Sequence, residues 1–209
     1  MGLISWIKQR FTKVKKSDMQ FEVPKVYYNG VAEITPDLVR KTFIKNFTSF
    51  ENVSEVNGKN RSKTIDAWNL WIKAGLGAPY CATAISKAFE MTELELSILI
   101  KIPKTASSQS MWFDTNSSYK IKHPIFGAVG IMYNYKSPVT GHALACVSSL
   151  EADGRTFKTF ECNTNRFGSR DGEGCMFALR DINGDMSKGF RGFIDVGSAY
   201  KEIKKGSLT

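Results

Sequence analysis

Four side chains in this sequence are of the types that cleave acyl bonds together: Cys81, His142, Glu161 and Asn163. Cysteine attacks a carbonyl carbon as its thiolate, and histidine is the usual base that makes the thiolate. A carboxylate or amide oxygen then fixes the tautomer of the imidazole. Cys81 directly follows a turn-forming stretch with Gly75, Gly77 and Pro79, and the residues from Ala82 to Phe89 read as a helix beginning there. Orphan N–H groups and the dipole at a helix N-terminus favour negative charge, so a thiol at that position ionises more readily. The same N–H groups can hold a developing oxyanion. Taken alone, Cys81 would also suit an ordinary buried thiol.

The histidines narrow the choice. Only His123 and His142 exist. His142 follows Gly141 at the start of a predicted strand running to Val147, whereas His123 precedes Pro124 in a polar stretch and reads as surface or structural. His142 is therefore the expected base. On the next predicted strand Glu161 and Asn163 stand two apart, and period-two alternation puts them on one face. Both are expected beside His142; the pattern alone is equally compatible with two polar residues on a solvated face.

Other elements must position these groups. Thr35-Pro36 opens a helix with Leu38, Val39, Thr42, Phe43 and Phe47 as its apolar face. Asn57-Gly58 marks a turn, and Ser62 caps a helix carrying Ile65, Trp68, Leu70 and Trp71. Thr92 with Glu95 reads as a capping box for a further short helix, and residues 103–124 read as a loop. The period then changes to two, predicting strands at 126–133, 142–148, 156–162, 174–180 and 191–196, with turns at Asp153-Gly154 and Asn183-Gly184. Helices followed by strands argue for an α+β domain with a mostly antiparallel sheet, here over residues 35–209.

Residues 1–34 form a separate lead-in. Leu3, Ile7, Phe11 and Val14 make a helical stripe flanked by Lys8, Arg10, Lys13, Lys15 and Lys16. Such a helix either packs on protein or lies on an anionic membrane or envelope. The chain of 209 residues carries a net charge of +9, which favours anionic partners. No recognition module accompanies that charge, so nucleic acid is not an expected partner. No run of apolar residues is long enough to span a membrane, no secretory signal is visible, and synthesis in the cytoplasm is expected. The four cysteines form no CxxC pair, which argues against zinc; Cys146, Cys162 and Cys175 read as free thiols. Neither metal nor organic cofactor is expected, and the chain is expected to be a monomer.

The stretches 57–62 and 77–86, with Tyr80 before the cysteine and Ala82 after it, resemble the amino half of a CHAP domain, the cysteine, histidine-dependent amidohydrolase/peptidase family. Gly141-His142 is similar to the family's second catalytic strand, and residues 160–165 and 168–174 resemble its Glu-Gly-Asn-Thr-Asn region. The resemblance spans roughly residues 55–197. It departs at Cys162, where the family often has glycine. Residues 72–80 contain no Asp or Glu, so the calcium loop of some members is not expected. The resemblance implies a papain-like fold and cleavage of a peptidoglycan amide bond, by an N-acetylmuramoyl-L-alanine amidase or a cross-link endopeptidase. It also implies a phage endolysin or virion-associated lysin, made in a host cytoplasm and acting on the wall. Carried over by residue, Cys81 is the nucleophile, His142 the base and then acid, and Glu161 the orienting group. Asn163 supports that network or polarises the substrate. Two rivals share the fold: a secreted antibacterial amidase toxin, and a virion or envelope-binding protein whose catalytic set is silent.

Overall fold

The computed structural model describes residues 27–28, 31–165, 173–184 and 188–203. The lead-in helix expected over residues 1–17 lies outside them.

Among the described residues, four helices precede the main sheet. Thr35 accepts a hydrogen bond from the Leu38 N–H at 3.2 Å and starts α1, Pro36–Thr48, with Pro36 in its first turn. Ser62 caps α2, Lys63–Trp71, in the same way. The third, α3, runs Cys81–Leu96 and ends on Ser97 in the left-handed conformation. A fourth short helix, α4, spans Ser108–Phe113 under a Ser107 cap. Strands β1 (Tyr27–Tyr28) and β2 (Val31–Ala32) pair with each other. Strand β3 (Ile98–Ile100) pairs with β10 (Tyr200–Glu202).

The remaining strands are β4 (Lys120–Ile121), β5 (Ala128–Asn134), β6 (Ser137–Cys146), β7 (Thr156–Thr164), β8 (Gly174–Asp181) and β9 (Lys188–Asp195). They form one six-stranded sheet in the order β4-β9-β5-β6-β7-β8, with antiparallel pairings throughout. The architecture is α+β: helices packed against an antiparallel sheet.

The main core lies between helices and sheet. Phe43 and Phe47 of α1 are wholly buried; Phe43 meets Phe89 of α3, and Phe47 meets Phe160 of β7 edge-on with centroids 5.2 Å apart. Aromatic pairs in such geometry add about 0.5–1.5 kcal/mol beyond area burial. Arg40 on α1 locks to Asp195 at the end of β9 through two hydrogen bonds of 2.8 and 2.7 Å. The opposite sheet face has its own cluster around Leu144, Cys146, Phe157 and Phe193.

Three expectations are corrected. Thr92 and Glu95 cap no separate helix: α3 continues through them, and Thr92 donates back to the Ala88 carbonyl at 2.8 Å. Residues 103–124 are not a loop throughout, since they hold α4, a 3-10 turn at Ser117–Tyr119 and β4. Cys162 and Cys175 are not free thiols. They are partners in the β7–β8 ladder, with Cα atoms 3.9 Å apart, and they form a disulfide. Cys81 and Cys146 are the free cysteines.

Candidate active site

Cys81 is the first residue of α3 and is 4% exposed. Tyr80, the residue before it, gives the helix no side-chain cap, so the first N–H groups of α3 are not taken by a side chain. The backbone N–H groups of Ala82 and of Ala143, on β6, both favour the thiolate. Ala143 can reach the sulfur because β6 and β7 pair only at Ala145↔Phe160 and Cys146↔Thr159. Beyond those rungs the ladder stops, and the helix N-terminus approaches the edge of β6 left unpaired by β7.

His142 precedes Ala143 and is 2% exposed. It lies within β6 rather than at its start, because the strand begins at Ser137. Its Nε2 meets Glu161 Oε2 at 3.0 Å across the parted strands. That contact assigns Nε2 to the carboxylate and leaves Nδ1 for the thiol. Nδ1 is buried and has no aligned hydrogen bond in this resting arrangement, although the thiol and imidazole lie close enough to influence each other's ionisation. Burial opposes ionisation of Cys81, but the imidazole and the two N–H groups outweigh it, and the thiol pKa falls below its ordinary value. Burial likewise opposes protonation of His142, but Cys81 and Glu161 outweigh it, and the pKa rises above 6.5. Both shifts favour a resting thiolate–imidazolium pair.

Glu161 is wholly buried. Burial alone would neutralise it; the Arg180 guanidinium, with further help from His142, holds it ionised well below the usual carboxylate range. Arg180 donates through Nε to Oε1 at 2.7 Å and through Nη2 to Oε2. Thr159, two residues back on the same strand face, donates to Oε1 at 2.6 Å. Neither Arg180 nor Thr159 is in the set expected from sequence. Met176, Ala178 and Arg180 share the face of β8 that lies beside Glu161 on β7, a pairing that the chain alone does not reveal.

Asn163 departs from expectation. The β7–β8 register shifts between Cys162 and Thr164, so Asn163 is a bulge residue with φ of 59°. Simple alternation with Glu161 therefore ends at Cys162. Asn163 is wholly buried, and among the described residues neither its side-chain nitrogen nor its side-chain oxygen has a hydrogen-bond partner. The structure thus brings Cys81, His142 and Glu161 into one array, while Asn163 makes no hydrogen bond to it. His123 is exposed, and among the described residues it makes no hydrogen bond or ion pair with the array.

A groove of about 500 Å³ opens beside Cys81. Its walls come from three segments: 72–79, 104–108 and 139–141. Asn69, wholly buried, clamps the first wall: its backbone carbonyl accepts from the Ala74 N–H at 2.8 Å, and its side-chain amide donates to the Ala78 carbonyl at 2.9 Å. Ser86, on the second turn of α3, holds the second wall by two hydrogen bonds to the Thr105 backbone. The third wall leads into His142. A Cβ at Gly141 would collide with the Met132 carbonyl and with Gln109 Nε2, so glycine is required where β6 passes under α4. Among the described residues no group of three His, Cys, Asp or Glu side chains converges as a metal site, and no helix is long and apolar enough to cross a membrane. Compared with known proteins, the chain matches no family model and no curated protein sequence.

Proposed function

We propose that this protein is a cysteine amidohydrolase of the CHAP type, cleaving an amide bond in bacterial peptidoglycan. One observation carries the reading: a thiol at an uncapped helix N-terminus, an imidazole whose far nitrogen is held by a buried carboxylate, and a groove leading to the sulfur. A nucleophile on a helix, a base on the neighbouring strand and an orienting acid on the next strand are the relation of parts in a papain-like hydrolase.

In this mechanism the Cys81 thiolate attacks the scissile carbonyl carbon, and the C=O electron pair moves to oxygen. Backbone N–H groups at the start of α3 receive that oxyanion; one such donor is typically worth ~3–4 kcal/mol of barrier. The intermediate collapses, the C–N bond breaks, and His142 gives its proton to the departing amine. The product is an acyl thioester on Cys81. Neutral His142 then takes a proton from water as the water oxygen attacks the thioester. Collapse releases a carboxylic acid and restores thiolate and imidazolium. Glu161 stays ionised throughout and holds Nε2–H, so that Nδ1 faces the reaction. Product charge and leaving-group chemistry fit either an N-acetylmuramoyl-L-alanine amidase or a peptide endopeptidase.

The test is turnover of purified sacculi, followed by mass spectrometry of the released fragments. Wild-type protein should release new amine and carboxylate termini, and Cys81→Ala should release none while unfolding at the wild-type temperature. Equal release by Cys81→Ala would overturn the assignment. An envelope-binding protein with a silent site would bind sacculi, release nothing, and show no preferential alkylation of Cys81.

A further inference from the structure

The groove beside Cys81 has a one-sided charge. Its lining includes Lys73 and Lys104 and no Asp or Glu. Apart from Cys81 itself, the other groups that line it are neutral, among them Ala74, Ala78, Ala106 and Thr140. The two lysines sit on different walls, each built on a defined backbone. Lys73 follows the end of α2 with φ of 60°, a left-handed conformation uncommon for a residue with a side chain. Its amide is tied to the Leu70 carbonyl at 3.1 Å, so the turn that presents it is fixed. Lys104 precedes Thr105, the residue pinned to Ser86 of α3, and its ammonium meets Glu93 at 2.8 Å. Glu93 also accepts from the Ile100 N–H. The carboxylate thus stands behind Lys104, outside the groove lining, and holds the ammonium in place.

Taking the hydrolase reading as its basis, we infer that the groove selects a substrate carrying a free carboxylate close to the scissile amide, with Lys73 and Lys104 as its counter-ions. A peptide with a carboxamide at that position gains no charge attraction and should bind more weakly. Partly exposed ion pairs are individually weak, so two of them together set a modest expected preference, of roughly threefold to tenfold. The effect must also fall with salt, because both lysines contact solvent. Removing Lys104 has a second consequence: it leaves the Glu93 charge uncovered behind the groove, and the preference should fall further than for Lys73 alone.

The experiment uses the full chain carrying Cys81→Ala, so that binding is read without turnover. N-Acetylmuramyl-L-alanyl-D-glutamate and its isoglutamine counterpart are titrated by calorimetry at low and high salt. They differ by one carboxylate against one carboxamide. The expected result is threefold to tenfold tighter binding of the free acid at low salt. The gap should close at high salt and in a Lys73→Met/Lys104→Met background that a cooperative melt shows to be folded. Equal affinities, failure of both ligands to bind, or a preference that survives in the double variant would overturn the inference. Turnover by the wild-type chain is scored separately. Sacculus cleavage without carboxylate preference removes this inference and leaves the hydrolase reading; carboxylate preference without cleavage of either ligand or of sacculi does the reverse.

Discussion

Replacing Arg180 with Met tests the electrostatic logic of the site most directly. The guanidinium is 10% exposed, and the carboxylate it serves, Glu161, is wholly buried. Deleting one partner of a buried ion pair strands the other charge and costs ~3–5 kcal/mol. Thr159 and His142 still hold the two Glu161 oxygens, which places the expected loss near the lower end, about 3 kcal/mol. For a chain of this size each kcal/mol moves the midpoint by about 2–4 °C, so Arg180→Met should melt roughly 6–12 °C early at neutral pH. The double variant Arg180→Met/Glu161→Gln carries no stranded charge and should melt above Arg180→Met alone. Its coupling energy should lie within the ~0.5–3 kcal/mol of contacting residues. The pH dependence has a definite sign. The folded Glu161 pKa lies below the ordinary 4.5, so the unfolded chain binds more protons as pH falls through that value, and wild-type stability rises with pH across that window. Without Arg180 the depression shrinks and less stability is gained over the same window. Calorimetric melting at several pH values measures all three quantities. A single variant within about 1 kcal/mol of wild type, or strict additivity in the double variant, would refute the reasoning.

Other consequences follow from the same geometry. Iodoacetamide at neutral pH should alkylate Cys81 about tenfold or more faster than Cys146, whose thiol pKa is pushed up by burial and by the Glu161 charge; peptide mapping reads the ratio. The rate profile should be bell-shaped. Its acid limb is set by Cys81, below the ordinary thiol value, and its alkaline limb by His142, above 6.5. In Glu161→Gln the imidazolium loses its carboxylate, so the alkaline limb should move to lower pH. Gly141→Ala forces a methyl into the Met132 carbonyl and Gln109; a loss of ~1–3 kcal/mol in denaturant melting is expected, with lower turnover from a displaced His142. Thr35→Ala removes the α1 cap and should cost about 1 kcal/mol without changing the pH profile.

Much of the scaffold is legible in the chain because its signals are local. Thr35-Pro36 and Ser62 announce helix starts through residues that bond their own neighbours, and the period-two runs fall where β5 to β9 lie. Thr92 misled for a related reason: a Thr three residues before a Glu looks alike at a helix start and inside one. Only the Ala88 carbonyl, which takes its hydroxyl, tells them apart. Helix α4 has six residues, too short for a 3.6-residue period to emerge. At the site, residue type and setting pointed to Cys81 and His142, one of only two histidines, whereas Glu161, one of twenty acidic residues, was singled out by its strand position and the family resemblance. Arg180 and Thr159 were hidden, since their part depends on which strand lies beside which. Of the two roles expected for Asn163, a hydrogen bond into the His142–Glu161 network is not seen, because alternation assumes an unbroken ladder and the bulge breaks it at that residue.

The Cys162–Cys175 bond turns the chain between its two sulfurs into a closed ring bridged across β7 and β8, its ends 13 positions apart. Hydrolysis of any one peptide link inside that ring would separate no fragment. The strand bearing Glu161 and the strand bearing Arg180 would stay covalently fastened across the cut. Nicked material would run as a single species on a denaturing gel without reductant and as two species once thiol is added.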